Sequence, residues 1–157
     1  MSMQQILATV RSFDDLLELA PDEHSDYPPV AWGDHFFYWS PDGSVPRTQP
    51  FATIITKDYP DDASSDLDPE GRWRLNIHVG RRRLAQFAPA EPADPAAADV
   101  LQPHPLYARQ GWICAVVPAG RTLGPVLELL ELAHLDQRRR LGGVLDSRPA
   151  VREDRAP

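Results

Sequence analysis

Cysteine is nearly missing from this chain: Cys114 is the single one among 157 residues, so no internal disulfide framework can staple the fold. CxxC pairs and Cys/His pairs at zinc-finger spacing are missing with it. Long apolar runs are lacking too, and none approaches the ~18 residues of a membrane span. The opening Met1-Ser2-Met3-Gln4-Gln5 has neither the basic region nor the apolar core of a signal peptide, so a cytoplasmic protein is expected. Positive charge is in deficit, with 16 Lys and Arg against 23 Asp and Glu and a formal net charge of −7. A general nucleic-acid binder needs a basic footprint to release phosphate counterions, and this balance weighs against one. GxSxG, Walker A, GxGxxG and HExxH patterns do not occur, which removes the commonest nucleophile, phosphate, dinucleotide and zinc-protease signatures. No internal repeat is visible.

What is present fits one domain, which at this length buries about 68–70% of its unfolded surface. Ser2 and Gln5 have the form of a capping box, and Ile6, Val10, Phe13 and Leu17 share one helical face. The spacing predicts a helix from Met3 to Leu19, stopped by Pro21. An acidic, proline-marked loop follows from Pro21 to Pro29. Val30 to Trp39 is rich in β-favouring aromatics and reads as a strand. Gly33 within it marks a bulge or a close approach to the backbone. Pro41-Asp42-Gly43 is a turn, and Phe51 to Thr56, continuing to Lys57, is a second strand. After a polar loop from Asp58 to Gly71, Trp73, Leu75, Ile77 and Val79 alternate with Arg74, Asn76 and His78, the pattern of a half-buried antiparallel strand. Arg81 to Phe87 suits a short helix, Ala88 to Ala98 an extended connection, and Trp112 to Val117 a strand covered on both faces. Thr122 caps a last helix from Leu123 to Leu141, with Val126, Leu129, Leu130 and Ala133 facing inward and Gly142-Gly143 as its stop. The expected product is a two-layer α+β domain over residues 1–142. It has an antiparallel sheet of four to five strands, an N-terminal and a C-terminal helix packed on one face, and a disordered tail at 143–157.

A resemblance lies in Ala31-Trp32-Gly33-Asp34 with Phe36-Phe37-Tyr38, Pro41-Asp42-Gly43, Gln49 to Ile54 and Thr56 to Pro60. It continues through Leu75-Asn76-Ile77, Pro103-His104-Pro105, Tyr107, Gly111-Trp112 and Ala133-His134. Together these motifs resemble an actinobacterial family of uncharacterised proteins over about Gln5 to Arg140. That family looks like a distant relative of the MmcQ/YjbR proteins, which share an early tryptophan-glycine strand, an asparagine-bearing strand, a tryptophan strand and a final helix. The resemblance implies a YjbR-like fold with a double-wing sheet, proposed in those relatives to bind DNA. It implies no chemistry, because fold alone does not fix function.

Candidate chemistry comes from a few clusters, each with a plainer reading beside it. His35, His78 and His104 would make a three-imidazole metal site if they converged, but no HxH or HxxxH spacing joins any two, and no metal site is expected. His134, on the last helix, is expected at the surface or core edge. Lys57 and Asp58 sit where a strand ends, where a desolvated lysine can become a base or nucleophile. The plainer reading is an exposed lysine beside a turn. Pro103 and Pro105 bracket His104 and restrict its backbone, aiming an imidazole beside Tyr107 for acid–base work, or simply making a rigid connector. Trp32, Phe36, Phe37, Tyr38, Trp39, Trp73 and Trp112 are mostly core, yet one set must face away from the helices and suits a flat ligand or a partner. The acids from Asp58 through Asp61, Asp62, Asp66 and Asp68 to Glu70 lack EF-hand spacing and read as a solvated loop. Cys114, in an apolar run, is an inert buried thiol.

These residues lead to two functional expectations. The favoured one is a small-molecule-binding protein, or a small enzyme of bacterial metabolism without a cofactor, whose site lies on the polar sheet face. Its expected catalytic groups are His104, Lys57, Tyr107 and Asp58, with Trp32, Asp34, His35, Arg74, Asn76, His78 and Trp112 as ligand-binding groups. The alternative is a DNA- or protein-binding module using Arg72, Arg74 and Arg81 to Arg83. No membrane partner is expected.

Overall fold

The computed structural model describes residues 2–89 and 94–146. Three helices, α1 (Ser2–Arg11), α2 (Arg81–Phe87) and α3 (Leu123–Asp146), accompany six strands: β1 (Leu16–Leu19), β2 (His35–Trp39), β3 (Ala52–Ile55), β4 (Arg74–His78), β5 (Gln102–Pro103) and β6 (Trp112–Val116). The strands form one antiparallel sheet in the order β1-β2-β3-β4-β6-β5. No helix of the described residues is long and apolar enough to cross a membrane.

Period-2 alternation sorts the strand residues onto two faces. Phe37, Ala52, Ile54, Leu75, Ile77 and Ile113 point to one side, where they bury with Ile6 and Val10 of α1 and with Val126, Leu129, Leu130 and Ala133 of α3. Trp73 and Val79 extend the same layer, so the side of β4 expected to meet the helices does so. The opposite face carries Tyr38, Thr53, Arg74, Asn76, Trp112 and Cys114. Among the described residues no α-helix packs there, and the loops 58–71 and 104–110 fold over it instead. A satellite cluster of Ile55, Leu67 and Val116, with Phe36 and Tyr59 against it, anchors the first of these loops.

Two elements differ from expectation, which is why the sheet has six strands rather than four to five. The first helix ends at Arg11, not Leu19. Asp15 adopts a left-handed φ of 57°, the chain reverses, and Leu16–Leu19 pairs with Phe36–Trp39 as an edge strand. A 4-3-4 apolar spacing cannot separate one long helix from a helix followed by a strand when both bury the same side chains. The other addition, β5, is two residues long and contains Pro103, tolerated because the strand lies at an edge. The aromatic strand begins at His35. Pro29–Ala31 is a 3₁₀ turn, and Gly33 precedes the strand with a φ of 89° rather than bulging within it.

The last helix also departs from expectation at both ends. Its first turn is capped by Asp99, whose carboxylate accepts hydrogen bonds from the Ala119, Arg121 and Thr122 amides and from the Thr122 hydroxyl. Thr122 therefore spends its hydroxyl on Asp99. Gly142-Gly143 does not stop α3, which continues to Asp146. The first four residues of the expected tail are thus helical, and 147–157 lie outside the described residues, as do 90–93 of the Ala88–Ala98 connection. Buried polar groups of α3 fasten it to the sheet. Gln137 accepts the Trp39 amide and donates to the Gln49 carbonyl, and His134 Nε2 donates to the Asp14 carbonyl.

Candidate functional site

The loop-covered sheet face holds a cavity of about 500 Å³. Tyr38, Thr53, Asn76 and Trp112 form its sheet side, and Tyr59, Asp62, His104 and Tyr107 reach in from the two loops. Arg74 lies at its polar end. This guanidinium is 1% exposed, the largest of the fully buried side chains, and burying a charge so completely requires partners. Nε donates to Asn76 Oδ1 (2.8 Å), Nη1 to Asp62 Oδ1 (3.1 Å) and Ser65 Oγ (3.0 Å), and Nη2 to Asp62 Oδ2 (2.5 Å). The result is a two-pronged ion pair, the geometry in which a guanidinium binds a carboxylate most strongly. Asn76 in turn donates to Thr53 Oγ1 at 3.0 Å, so a hydrogen-bonded row crosses β3 and β4 beneath the cavity.

His104 completes this end. Its Nδ1 lies 3.0 Å from the Leu106 amide and 3.1 Å from the Tyr107 amide. Both are N–H donors, so Nδ1 accepts and, in the neutral ring, Nε2 carries the proton; the tautomer is assigned from this network. Nε2 stands 3.2 Å from Arg74 Nη2 and 3.8 Å from Asp62 Oδ2. Burial, reinforced by the Arg74 charge and only partly opposed by Asp62, pushes the His104 pKa down to about 4. Asp62 is held below the ordinary carboxylate range: burial pushes it up, and the hydrogen bond and charge of Arg74 outweigh that.

A second polar cluster braces one wall. Asp34 is fully buried, and its Oδ1 accepts from the Thr56 amide (2.8 Å), the Thr56 hydroxyl (2.6 Å) and Lys57 Nζ (2.9 Å), while Oδ2 accepts from the Tyr59 hydroxyl (2.6 Å). Burial and the Asp34 carboxylate raise the Tyr59 pKa, so the phenol stays a donor. Tyr59 and Asp62 then exchange backbone hydrogen bonds (3.2 and 3.0 Å), a tight reversal that presents Asp62 to Arg74. Asp34 thus fixes Tyr59, the turn fixes Asp62, and Asp62 fixes Arg74.

Of the residues expected to bind a ligand, Arg74, Asn76 and Trp112 line the cavity, as do His104 and Tyr107 of the expected catalytic set. The others are engaged elsewhere. Lys57 pairs with Asp34, and Asp58 accepts the Leu67 amide while its own amide donates to Asp68 Oδ1. Trp32 Nε1 donates to the Tyr27 carbonyl, His35 pairs with Glu18, and His78 Nε2 donates to the Gln110 carbonyl while its ring packs on Trp112. His35, His78 and His104 therefore have separate partners, and no group of three or more metal-ligating side chains occurs among the described residues. Three acids of the 58–70 loop, Asp58, Asp62 and Asp68, accept hydrogen bonds within the chain through their carboxylates. Tyr59 and Asp62 were hidden by that role, because an acidic loop gives no sign of which carboxylate turns inward. The one available signal was Arg74, a cation on a strand otherwise buried, which demanded an anionic partner.

The arginines of the alternative reading are largely committed. Arg72 donates to the Ser65, Asp66 and Ala96 carbonyls, Arg81 to the Arg109 carbonyl, and Arg83 pairs with Asp136. No curated protein and no solved structure gives a significant match to the chain. The model of one protein family does match, over residues 1–143, and by that match the chain belongs to a family of unknown function (DUF6194).

Proposed function

We propose that this protein binds a small, ring-bearing molecule in the cavity on the polar face of the sheet. The observation that carries this reading is a fully buried, fixed guanidinium at the end of a 500 Å³ cavity into which Phe36, Tyr38, Tyr59, Tyr107 and Trp112 bring aromatic rings. Ligand sites commonly combine a volume of roughly 300–1,000 Å³ with apolar walls and a few placed polar groups. Binding is favoured over acid–base turnover because His104 presents an N–H rather than a lone pair to the cavity, and Lys57 is held by Asp34. The reading needs no cofactor.

The alternative inherited from the resemblance to double-wing proteins, a DNA- or protein-binding module, has less support, since Arg72, Arg74 and Arg83 are already hydrogen-bonded within the chain. A thermal-shift screen of ring-bearing metabolites tests the proposal. Hits should raise the Tm of the native protein and fail to raise that of Thr53→Phe, in which a phenyl ring fills the cavity floor. Hits unaffected by Thr53→Phe would argue against the cavity, and duplex DNA binding with a steep salt slope would replace this reading with the alternative.

A further inference from the structure

Counting donors at the polar end of the cavity sharpens what the ligand must offer. A guanidinium has five N–H groups. In Arg74 one goes to Asn76, two from Nη1 to Asp62 and Ser65, and one from Nη2 to Asp62. One N–H on Nη2 is left. The imidazole of His104 also has one left, on Nε2, because Nδ1 is occupied by the Leu106 and Tyr107 amides. The two nitrogens face each other at 3.2 Å, and Asp62 Oδ2, at 3.8 Å from Nε2, is beyond hydrogen-bond reach of the ring. With Nδ1 accepting from the two loop amides, Nε2 is a donor, so the 3.2 Å contact joins two donors and neither N–H has an acceptor among the described residues. Both side chains are buried, Arg74 to 1% and His104 to 4% exposure, and both line the cavity. Two buried donors side by side are costly unless something accepts from both.

We propose that Arg74 Nη2 and His104 Nε2 jointly hold one neutral carbonyl oxygen of the ligand, an inference that rests on the cavity being a ligand site. A carboxylate fits less well, because Asp62 already neutralises Arg74 and Asp61 adds a second negative charge to the lining. A cation supplies no acceptor and leaves the two N–H groups opposed. The ligand class is therefore an aromatic or otherwise planar carbonyl compound (an amide, lactam or ketone), with its ring among Tyr38, Tyr107 and Trp112.

Three probes on one ring system separate the possibilities: 2-naphthamide, 2-naphthoate and 2-naphthylmethylamine, each titrated calorimetrically into the full chain. The amide is expected to bind at least tenfold tighter than the other two. His104→Asn keeps an acceptor for the loop amides but loses the Nε2 donor. It should lose about tenfold in amide affinity and little for the amine, whereas His104→Gln, which retains a donor near Nε2, should recover most of the amide affinity. Side-chain ¹⁵N NMR of the unsubstituted protein gives an independent check. A pyridine-like Nδ1 and a pyrrole-like Nε2 are expected, with the Hε2 signal moving downfield on addition of 2-naphthamide. A pyrrole-like Nδ1 overturns the proposal whatever the titrations show. Equal affinities for the three probes overturn the carbonyl assignment and leave the cavity as a ring-binding site, whereas no binding by any probe removes both.

Discussion

Arg74 occupies a position that the burial of its strand would assign to an aliphatic side chain, and its removal shows what such a placement costs. Arg74→Met leaves Asp62 buried beside the cavity without its counter-charge, and a loss of about 3–5 kcal/mol is expected in urea unfolding. Adding Asp62→Leu to that variant should return much of the loss, because deleting both members of a buried pair is far cheaper than deleting one. His104 adds a pH dependence. Its native pKa, pushed down to about 4, lies below the ordinary imidazole value of about 6.5, so between these values the unfolded chain binds a proton that the native one does not. Stability should therefore fall as pH drops from about 6.5 to about 4, by on the order of 2–3 kcal/mol from this group, and the contribution should level off below. His78, lowered mainly by burial, acts in the same direction, so the measurement is the difference in slope between the native protein and His104→Asn. At this scale the alternation of β4 made Arg74 and Asn76 legible as polar-face residues in the sequence. Tyr59 and Asp62 were not, because their roles depend on a turn closed by Asp34, 25 residues before Tyr59.

Among the elements, α3 depends most on a residue outside itself. Asp99 reaches the first turn from a left-handed backbone conformation with φ 57°. Burial pushes its pKa up, but the Thr122 hydroxyl and the three amides outweigh that and hold it near 2. Asp99→Ala should cost about 1–2 kcal/mol, as removal of a helix cap does, and should speed amide exchange in residues 119–126 before the rest of the helix. Gly111 is the other sensitive point. Its φ is 88°, and a β-carbon there would stand 2.7 Å from the Gly80 α-carbon. The two backbones are joined by hydrogen bonds from the Val79 and Gly80 amides to the Gly111 carbonyl. Gly111→Ala is expected to destabilise by about 2–4 kcal/mol, combining left-handed strain with displacement of backbone, and thermal melts would show it. The elements themselves were read unevenly. The strand at 74–78 follows from clear alternation, and the short helix at Arg81–Phe87 follows the glycine that ends it. The edge strand Leu16–Leu19 does not, since a turn at two aspartates inside an apolar period carries little propensity signal.

For the whole molecule, the sheet separates two kinds of interior. One side is a conventional apolar layer under α1 and α3, and the other is a polar, loop-covered side with a cavity. That division was legible in the alternation of residues 73–79, whereas the covering loops were not, because nothing in an acidic segment announces that it folds back over a sheet. Cys114 lies on the polar, loop-covered side of β6, buried, with its thiol pushed up to about 12 chiefly by burial. Its reaction with a thiol reagent should therefore be slow in the native state and should track global unfolding. Fast modification under native conditions would mean that the β4–β6–β5 side of the sheet opens independently.

Lys57 is the chain's one lysine, the other fifteen cationic side chains of this kind being arginines, and its ammonium is tied to the buried Asp34 carboxylate. Apart from the α-amine, an amine-selective acylating reagent thus has a single target, placed at the head of the sequence of contacts that runs through Tyr59 and Asp62 to Arg74. Mass spectrometry of one acetyl group becomes a measure of the cavity's far end: conditions that free Lys57 for acetylation are conditions under which Asp34 has let go of the wall.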